Sequence, residues 1–218
     1  MNPFAHPVNL ENDHVELRPL TMDDVDDLRE ATRDGDLHTL WFTAVPNADG
    51  MATEIERRLA LQRQGLMNPF VVINKQPGPL SGRAVGMTTY MNIDVGNRRV
   101  EIGSTWYRRA VQRTRLNSAC KRLLLAHAFE HLDCIAVEFR THAFNHRSRR
   151  AIKRLGAKLD GILRNHQITP HPSIPCAIPA CTASLTANGQ PCGRTLTSHY
   201  APAPVTAPNH TPLATSPC

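Results

Sequence analysis

The residues with the clearest chemical potential lie where an alternating stretch gives way to a helical one. Val100, Ile102, Ser104 and Trp106 alternate with Glu101, Gly103, Thr105 and Tyr107, the period of a β-strand. A short basic turn comes next, Gln112-Arg113-Thr114-Arg115. Leu116, Ala119, Cys120, Leu123 and Leu124 then recur at helical spacing. A strand that runs through a polar turn into a helix aims that helix's unpaired N–H groups and positive dipole end at the turn. Such a turn suits a phosphate or pyrophosphate. Arg113, Arg115 and Lys121 are expected to add positive charge on the same side. A second basic run, Arg147, Arg149, Arg150, Lys153 and Arg154, forms a helix face that suits solvent or a further phosphate.

Other reactive residue types give weaker patterns. His127, His131, His142 and His146 straddle three elements without paired ligand spacing, so no metal site is expected. Cys120 and Cys134 read as small apolar fillers of a helix and a strand. Cys176, Cys181, Cys192 and Cys218 lack C-x-x-C spacing. Lys and Arg outnumber Asp and Glu by 25 to 19. That balance suits an anionic ligand, but no aromatic interleaving or known motif points to nucleic acid. No run approaches the length of a membrane span, and the N-terminus shows no basic segment followed by an apolar one. A cytoplasmic chain without a membrane segment is the expectation.

The elements that must position these residues can be read from periodicity and punctuation. Val15 to Arg18 is a short strand that Pro19 ends. Thr21 caps a helix from about Met22 to Arg33, with Asp23 and Asp24 in its first turn. Met51 to Gln64 is a second helix. Phe70 to Ile73 and Arg83 to Asn92 are strands, and Gly96-Asn97 is a hairpin-type turn into the strand that carries Glu101. Asp133 to Thr141 is the fifth strand. Asn145 caps a helix through Leu155, and Gly156 stops it. Ala157 to Asn165 is the sixth strand. The order β-α-α-β-β-β-α-β-α-β is that of one α/β (α+β) domain with a mixed sheet.

The stretch resembles the acetyl-CoA site of the GNAT acetyltransferases, in the RimJ/RimL-type branch that modifies ribosomal-protein N-termini. The family motif is Gln/Arg-x-x-Gly-x-Gly/Ala after the fourth strand. Gln112-Arg113-Thr114-Arg115-Leu116-Asn117 lies over it, with Gln112 in first place and both glycine places altered, to Arg115 and Asn117. The flanking E-I-G-S-T-W-Y and N-S-A-C-K-R-L-L-L-A-H-A-F-E match, as does N-H-R-S-R-R-A-I-K-R-L-G-A further on. The resemblance implies a mostly antiparallel sheet flanked by helices, and direct acetyl transfer from acetyl-CoA to a primary amine, without a metal. The backbone from Trp106 and Tyr107 to Val111 would hold the pantetheine arm where two strands splay apart. Gln112, Arg113, Thr114, Arg115, Leu116 and Asn117 would wrap the pyrophosphate, and Asn145 would contact CoA. Glu101 would take the amine's proton through water. Ser148 occupies the place of a tyrosine that protonates the thiolate in many relatives. Ser104 is a weaker candidate for the acceptor site. Trp41 and Phe42 fall near the acceptor pocket, which the first two helices bound. The branch implies a protein N-terminus as acceptor, with a small-molecule amine as the rival, and a monomer or homodimer.

Composition changes near Gln167, dividing a domain over 1–167 from a Pro/Thr/Ala-rich tail over 168–218. The tail carries one charged residue, Arg194, and ten of the seventeen prolines. Pro170, Pro172, Pro175 and Pro179 remove strand donors. The last family strand, which pairs between the fifth and sixth, is therefore expected to be lost, the tail disordered, and the enzyme impaired or reduced to a CoA-binding remnant. Shifting the tail's codons by one base from Pro175 permits L-R-D-T-C-V-Y-S-I-T-D-S-E-W-P-A-V-R, which resembles the family's usual ending and suggests a frameshift near Gln167.

Overall fold

The structure is a computed structural model that describes residues 2–40, 43, 45–171 and 174–188, with side chains described through residue 166. The strands are β1 (Leu10–Glu11), β2 (Val15–Pro19), β3 (Asn68–Asn74), β4 (Ala84–Asp94), β5 (Arg99–Tyr107), β6 (Ala136–His142), β7 (Lys158–His171) and β8 (Ile174–Asn188). The helices are α1 (Val25–Arg33), α2 (Met51–Arg63), α3 (Leu116–Ala126) and α4 (His146–Lys153). The strands form one sheet in the order β1-β2-β3-β4-β5-β6-β8-β7. Neighbours are antiparallel except β5 and β6, which run parallel. A parallel neighbour needs a crossover, and α3 supplies it.

The continuous apolar run of β3 is buried on both faces, and its alternate residues enter two cores. Phe70 and Val72 join Val100, Ile102, Leu116, Cys120, Leu124 and Ile152, so this face packs on α3 and α4. Val71 and Ile73 join Leu28, Ala31, Met51, Ile55, Met87 and Trp106, so the other face packs on α1 and α2. The Tyr90 hydroxyl donates to the Leu124 carbonyl at 2.5 Å, tying β4 to α3. At the start of α1, Asp24 accepts from the Thr21 backbone N–H at 2.9 Å and from both terminal nitrogens of Arg18. Thr21 is the cap the sequence indicates; the structure makes it a capping box with Asp24, on a short 3-10 turn over Met22–Asp24 that precedes α1.

The expected loss of the last strand is corrected by the sheet. β8 lies between β6 and β7, and Thr182–Asn188 pairs antiparallel with Ala136–His142 of β6. The reason lies in where the prolines fall. Every residue from Cys181 to Asn188 keeps its N–H, and within this run Thr182 to Thr186 has neighbours on both sides. Pro175 and Pro179 lie in the part that pairs with β7 alone, where a missing donor is tolerated. β7 extends to His171, past the composition change. Trp41, Phe42 and residues 189–218 lie outside the described residues.

Candidate active site

β5 changes character along its length. Arg99, Val100 and Glu101 pair with Ala136, Val137 and Glu138, and the pairing with β6 stops there. From Ile102 onward β5 keeps only β4 as a neighbour. In that open part, Ser104 takes a left-handed backbone, φ 48°. Gly103 pairs with Thr89 and Trp106 with Met87, so two residues, Ser104 and Thr105, oppose Thr88. This is a β-bulge, and it reverses the facing of the residues after it. Val100 and Ile102 face α3, but after the bulge Tyr107 joins that core while Trp106 joins the core under α1 and α2.

Glu101 sits on the α1/α2 face and is 4% exposed. The Asn92 side-chain amide donates to its Oε2 at 2.7 Å, and the Arg140 guanidinium lies 3.7 Å from the same atom. Arg140 is itself held by Glu138 at 3.0 Å. Burial pushes the Glu101 carboxyl above the usual carboxylate range, against the pull of Asn92 and Arg140. Its Oε1 lies over Gly103, where a Cβ would come within 2.8 Å of it and 2.6 Å of Met91 Sδ. Only glycine leaves room for the carboxyl to fold across the strand. Ser104, in contact with Met91 Sδ at 3.6 Å, is exposed.

The turn after β5 is fixed from three directions. Gln112 donates to the Tyr107 carbonyl at 2.9 Å. The Thr114 hydroxyl donates to the Val111 carbonyl at 2.8 Å and accepts from the Leu116 N–H at 3.2 Å, which caps α3. Asp34, at the end of α1, accepts from the Ala110 N–H at 2.9 Å and Arg108 Nε at 3.1 Å. The left-handed residue in the turn is Arg113, φ 64°. Arg115 has ordinary right-handed backbone and Asn117 lies within α3, so neither altered glycine place demands glycine's freedom. The N-terminus of α4 meets the turn: Arg147 donates to Gln112 Oε1 at 3.2 Å. Asn145 caps α4, accepting from the Ser148 N–H at 3.1 Å, and Ser148 is half-buried.

Lys121 departs from its expected place. It is 6% exposed, turned inward from α3, and not part of the basic surface of the turn. Its Nζ donates to Thr105 Oγ1 at 2.6 Å and Thr88 Oγ1 at 3.2 Å. Among the described residues, two buried side-chain polar atoms lack a hydrogen-bond partner, and both lie on the last two residues of β5: Trp106 Nε1 and the Tyr107 hydroxyl. The histidines do not converge with acids or cysteines: no group of three metal-ligating side chains occurs among the described residues. Cys120 and Cys134 are free and buried; Cys120 lies in α3 as expected, whereas Cys134 lies just before β6 and not in a strand. Sequence reasoning misses Asn92, Arg140 and Asp34. Asp34 and Arg140 act across long separations, and Asn92 acts across the β4–β5 hairpin, where only the register of the two strands brings it to Glu101.

A cleft of about 330 Å³ opens beside the end of α1, lined by Thr32, Arg33, Asp36, His38, Asn47 and Asp49. It lies in the region assigned by resemblance to the acceptor, away from Glu101 in sequence.

A mixed sheet whose middle strands part beyond a bulge, followed by a capped basic turn and helix, defines an acetyltransferase architecture. A family model described as an acetyltransferase (GNAT) domain matches residues 14–158. The chain belongs to the GNAT acetyltransferase family and is an acyltransferase. Its fold is similar to that of a GCN5-related N-acetyltransferase from Brucella melitensis, at TM-score 0.71 and 24% identity over 85% of this chain and 80% of that one. It is also similar to RimL, a ribosomal alpha-N-protein acetyltransferase, solved with coenzyme A, at TM-score 0.68 and 13% identity over 83% of this chain and 98% of that one. No curated protein matches it. No helix among the described residues is long and apolar enough to cross a membrane.

Proposed function

We propose that this chain transfers the acetyl group of acetyl-CoA directly to the amino group of a protein N-terminus, in the cytoplasm. The observation that carries this is the opening of β5 beyond Glu101, with a buried carboxylate at its start and a capped basic turn at its end. The unpaired edge of β5 offers backbone groups to the amides of the pantetheine arm, and such groups need partners. Gln112 to Asn117 and the α3 N-terminus receive the pyrophosphate. Asn145 and Ser148 approach the arm from α4, which Arg147 holds against the turn.

The acceptor enters on the α1/α2 face, where the cleft offers the Asp36 and Asp49 carboxylates to an amine beside the Arg33 guanidinium. Glu101 takes the amine's proton through water. Its raised affinity for protons suits it to that role. Attack of the amine on the thioester carbonyl forms the C–N bond and releases CoA as a thiolate. The RimL likeness and the branch resemblance favour a protein N-terminus over a small amine.

The test is CoA release with acetyl-CoA and three acceptor sets: peptides with free N-termini, the same peptides N-terminally blocked but containing lysine, and aminoglycosides. Amine-dependent release with the first set alone is expected. Release with aminoglycosides alone would overturn the acceptor assignment. CoA binding without release in any set would mark a binding remnant.

A further inference from the structure

Lys121 is a buried cation on the helix that leads away from the turn, and nothing in the family reading uses it. Its immediate partners are two hydroxyls that also touch each other: Thr88 Oγ1 and Thr105 Oγ1 are 2.8 Å apart. Two of its three donors are thereby directed at β4 and β5. Its Nζ also lies 6.0 Å from the centroid of the Phe139 ring on β6. Thr105 belongs to β5 and Phe139 to β6, and both lie past the last β5–β6 pair. The ammonium therefore lies on the α3 side of the opening between the two strands. Thr88 is fully buried, but Thr105 is only half-buried. The Thr105 hydroxyl accepts from the sealed ammonium and, as the structure stands, donates to the Gly103 carbonyl of its own strand at 3.3 Å.

The titratable groups around Lys121 are few. Cys120 precedes it on α3, with a thiol that burial pushes up to about 12, so it is neutral. Tyr107 on β5 lies against Cys120 and is pushed well above its usual range by burial. Glu101 attracts Lys121 from the other face of the sheet, and Arg140 and Glu138 of β6 surround Glu101. Burial lowers Lys121 to about 7, so it exchanges its proton in the physiological range.

We infer that Lys121 supplies the proton taken up by the departing CoA thiolate, passed through the Thr105 hydroxyl, and that this site is built for a thiol leaving group. This rests on acetyl-CoA occupying the β5–β6 opening, as proposed above. When the C–S bond breaks, its electron pair stays on sulfur. Thr105 gives its hydroxyl proton to sulfur and receives one from the Lys121 ammonium. Lys121 is left as a neutral amine and is recharged from water after the products leave. The acceptor amine's proton goes separately to Glu101, so protons balance. A serine hydroxyl at Ser148 is a poor acid in water, whereas an ammonium near neutrality is well matched to the task.

The test uses the full chain and compares CoA with desulfo-CoA, which lacks the sulfur. Binding is measured by calorimetry in two buffers of different ionisation enthalpy, and Lys121 is followed by the NMR titration of its 13Cε. The chain has four lysines, Lys75, Lys121, Lys153 and Lys158, so the resonance is readily assigned. CoA is expected to raise the proton affinity of Lys121 about tenfold through the thiolate–ammonium pair, and desulfo-CoA to leave it lower. Lys121→Met is expected to bind both ligands with no difference in proton uptake, and Thr105→Val to weaken the response to CoA while Lys121 still titrates. If both ligands bind and move Lys121 equally, the inference fails while the acetyl-CoA reading survives. If neither binds, both fail. The wild-type comparison decides the matter even if Lys121→Met does not fold.

Discussion

The first three residues of β5 and the last six obey different rules. Arg99 to Glu101 is clasped between β4 and β6, and its backbone is spoken for on both sides. Ile102 to Tyr107 has β4 alone, contains a bulge, and carries both partnerless buried side-chain atoms of the described residues. Two buried charges flank the transition, Glu101 on one face and Lys121 on the other. A native core normally leaves few polar groups unpaired and few charges buried. The other buried charges, Asp24 and Arg58, are paired with Arg18 and Glu54. Glu101, Lys121 and the two partnerless atoms gather around one strand, which marks its open part as built for a ligand and the clasped part as its anchor.

The largest expected effect belongs to Lys121. Its folded value of about 7 lies below the ordinary lysine value of 10.5. Below about 7 the lysine is charged in both states, and the folded state bears the full burial penalty. Between about 7 and 10.5 the unfolded chain binds the extra proton, so wild-type stability rises with pH, by about 1.4 kcal/mol per unit from this group. Chemical denaturation across that window should show Lys121→Met losing this slope. An unchanged slope would place Lys121 in contact with water and dissolve the contrast between the two parts.

Glu101→Gln comes next. A fall in kcat of about 100- to 1,000-fold is expected, with CoA affinity retained. Burial raises the folded value of Glu101, so its stabilising effect is present at low pH and lost as pH rises through that value. In the glutamine variant the acid limb of kcat and this stability change should vanish together. Loss of CoA affinity instead would move Glu101 from the chemistry to the scaffold.

Gly86→Ala probes the open part directly. A Cβ there would lie 2.1 Å from the Trp106 carbonyl oxygen and 2.8 Å from Tyr107 Cα. Thermal unfolding should register a loss of about 2–3 kcal/mol, whereas the same change at exposed Gly96 should be much milder. Asp34→Ala is the smallest: removing the acceptor for Ala110 and Arg108 should cost about 1 kcal/mol and weaken CoA binding several-fold by loosening the turn.

The element order is legible in the sequence because periodicity and caps agree with the fold from Val15 to Leu155. The bulge is not. Strict alternation puts Trp106 with Val100 and Ile102, yet the extra residue at Ser104 sends it to the opposite core. In sequence Lys121 reads as surface charge because the apolar positions of α3 define a stripe without it; only Thr88 and Thr105, brought in by tertiary structure, make its burial tolerable. In the tail, counting prolines obscures the proline-free run Cys181 to Asn188, the part of β8 that pairs with β6. The shifted-frame reading is a separate proposal. A one-base offset near Gln167 in the gene, relative to family members, is expected, and an intact frame there would end it.

The strand that separates β6 from β7 is the last of the eight to be made. While the chain is being synthesised, β6 emerges with one side bare, and β7 appears without the neighbour it needs. Neither can be satisfied until Asn188 has left the ribosome, so the sheet closes late and across its middle. Domains otherwise tend to organise from the N-terminus during synthesis. The exposure of those strand sides before closure is the interval in which a chaperone, or another nascent copy, has its opportunity.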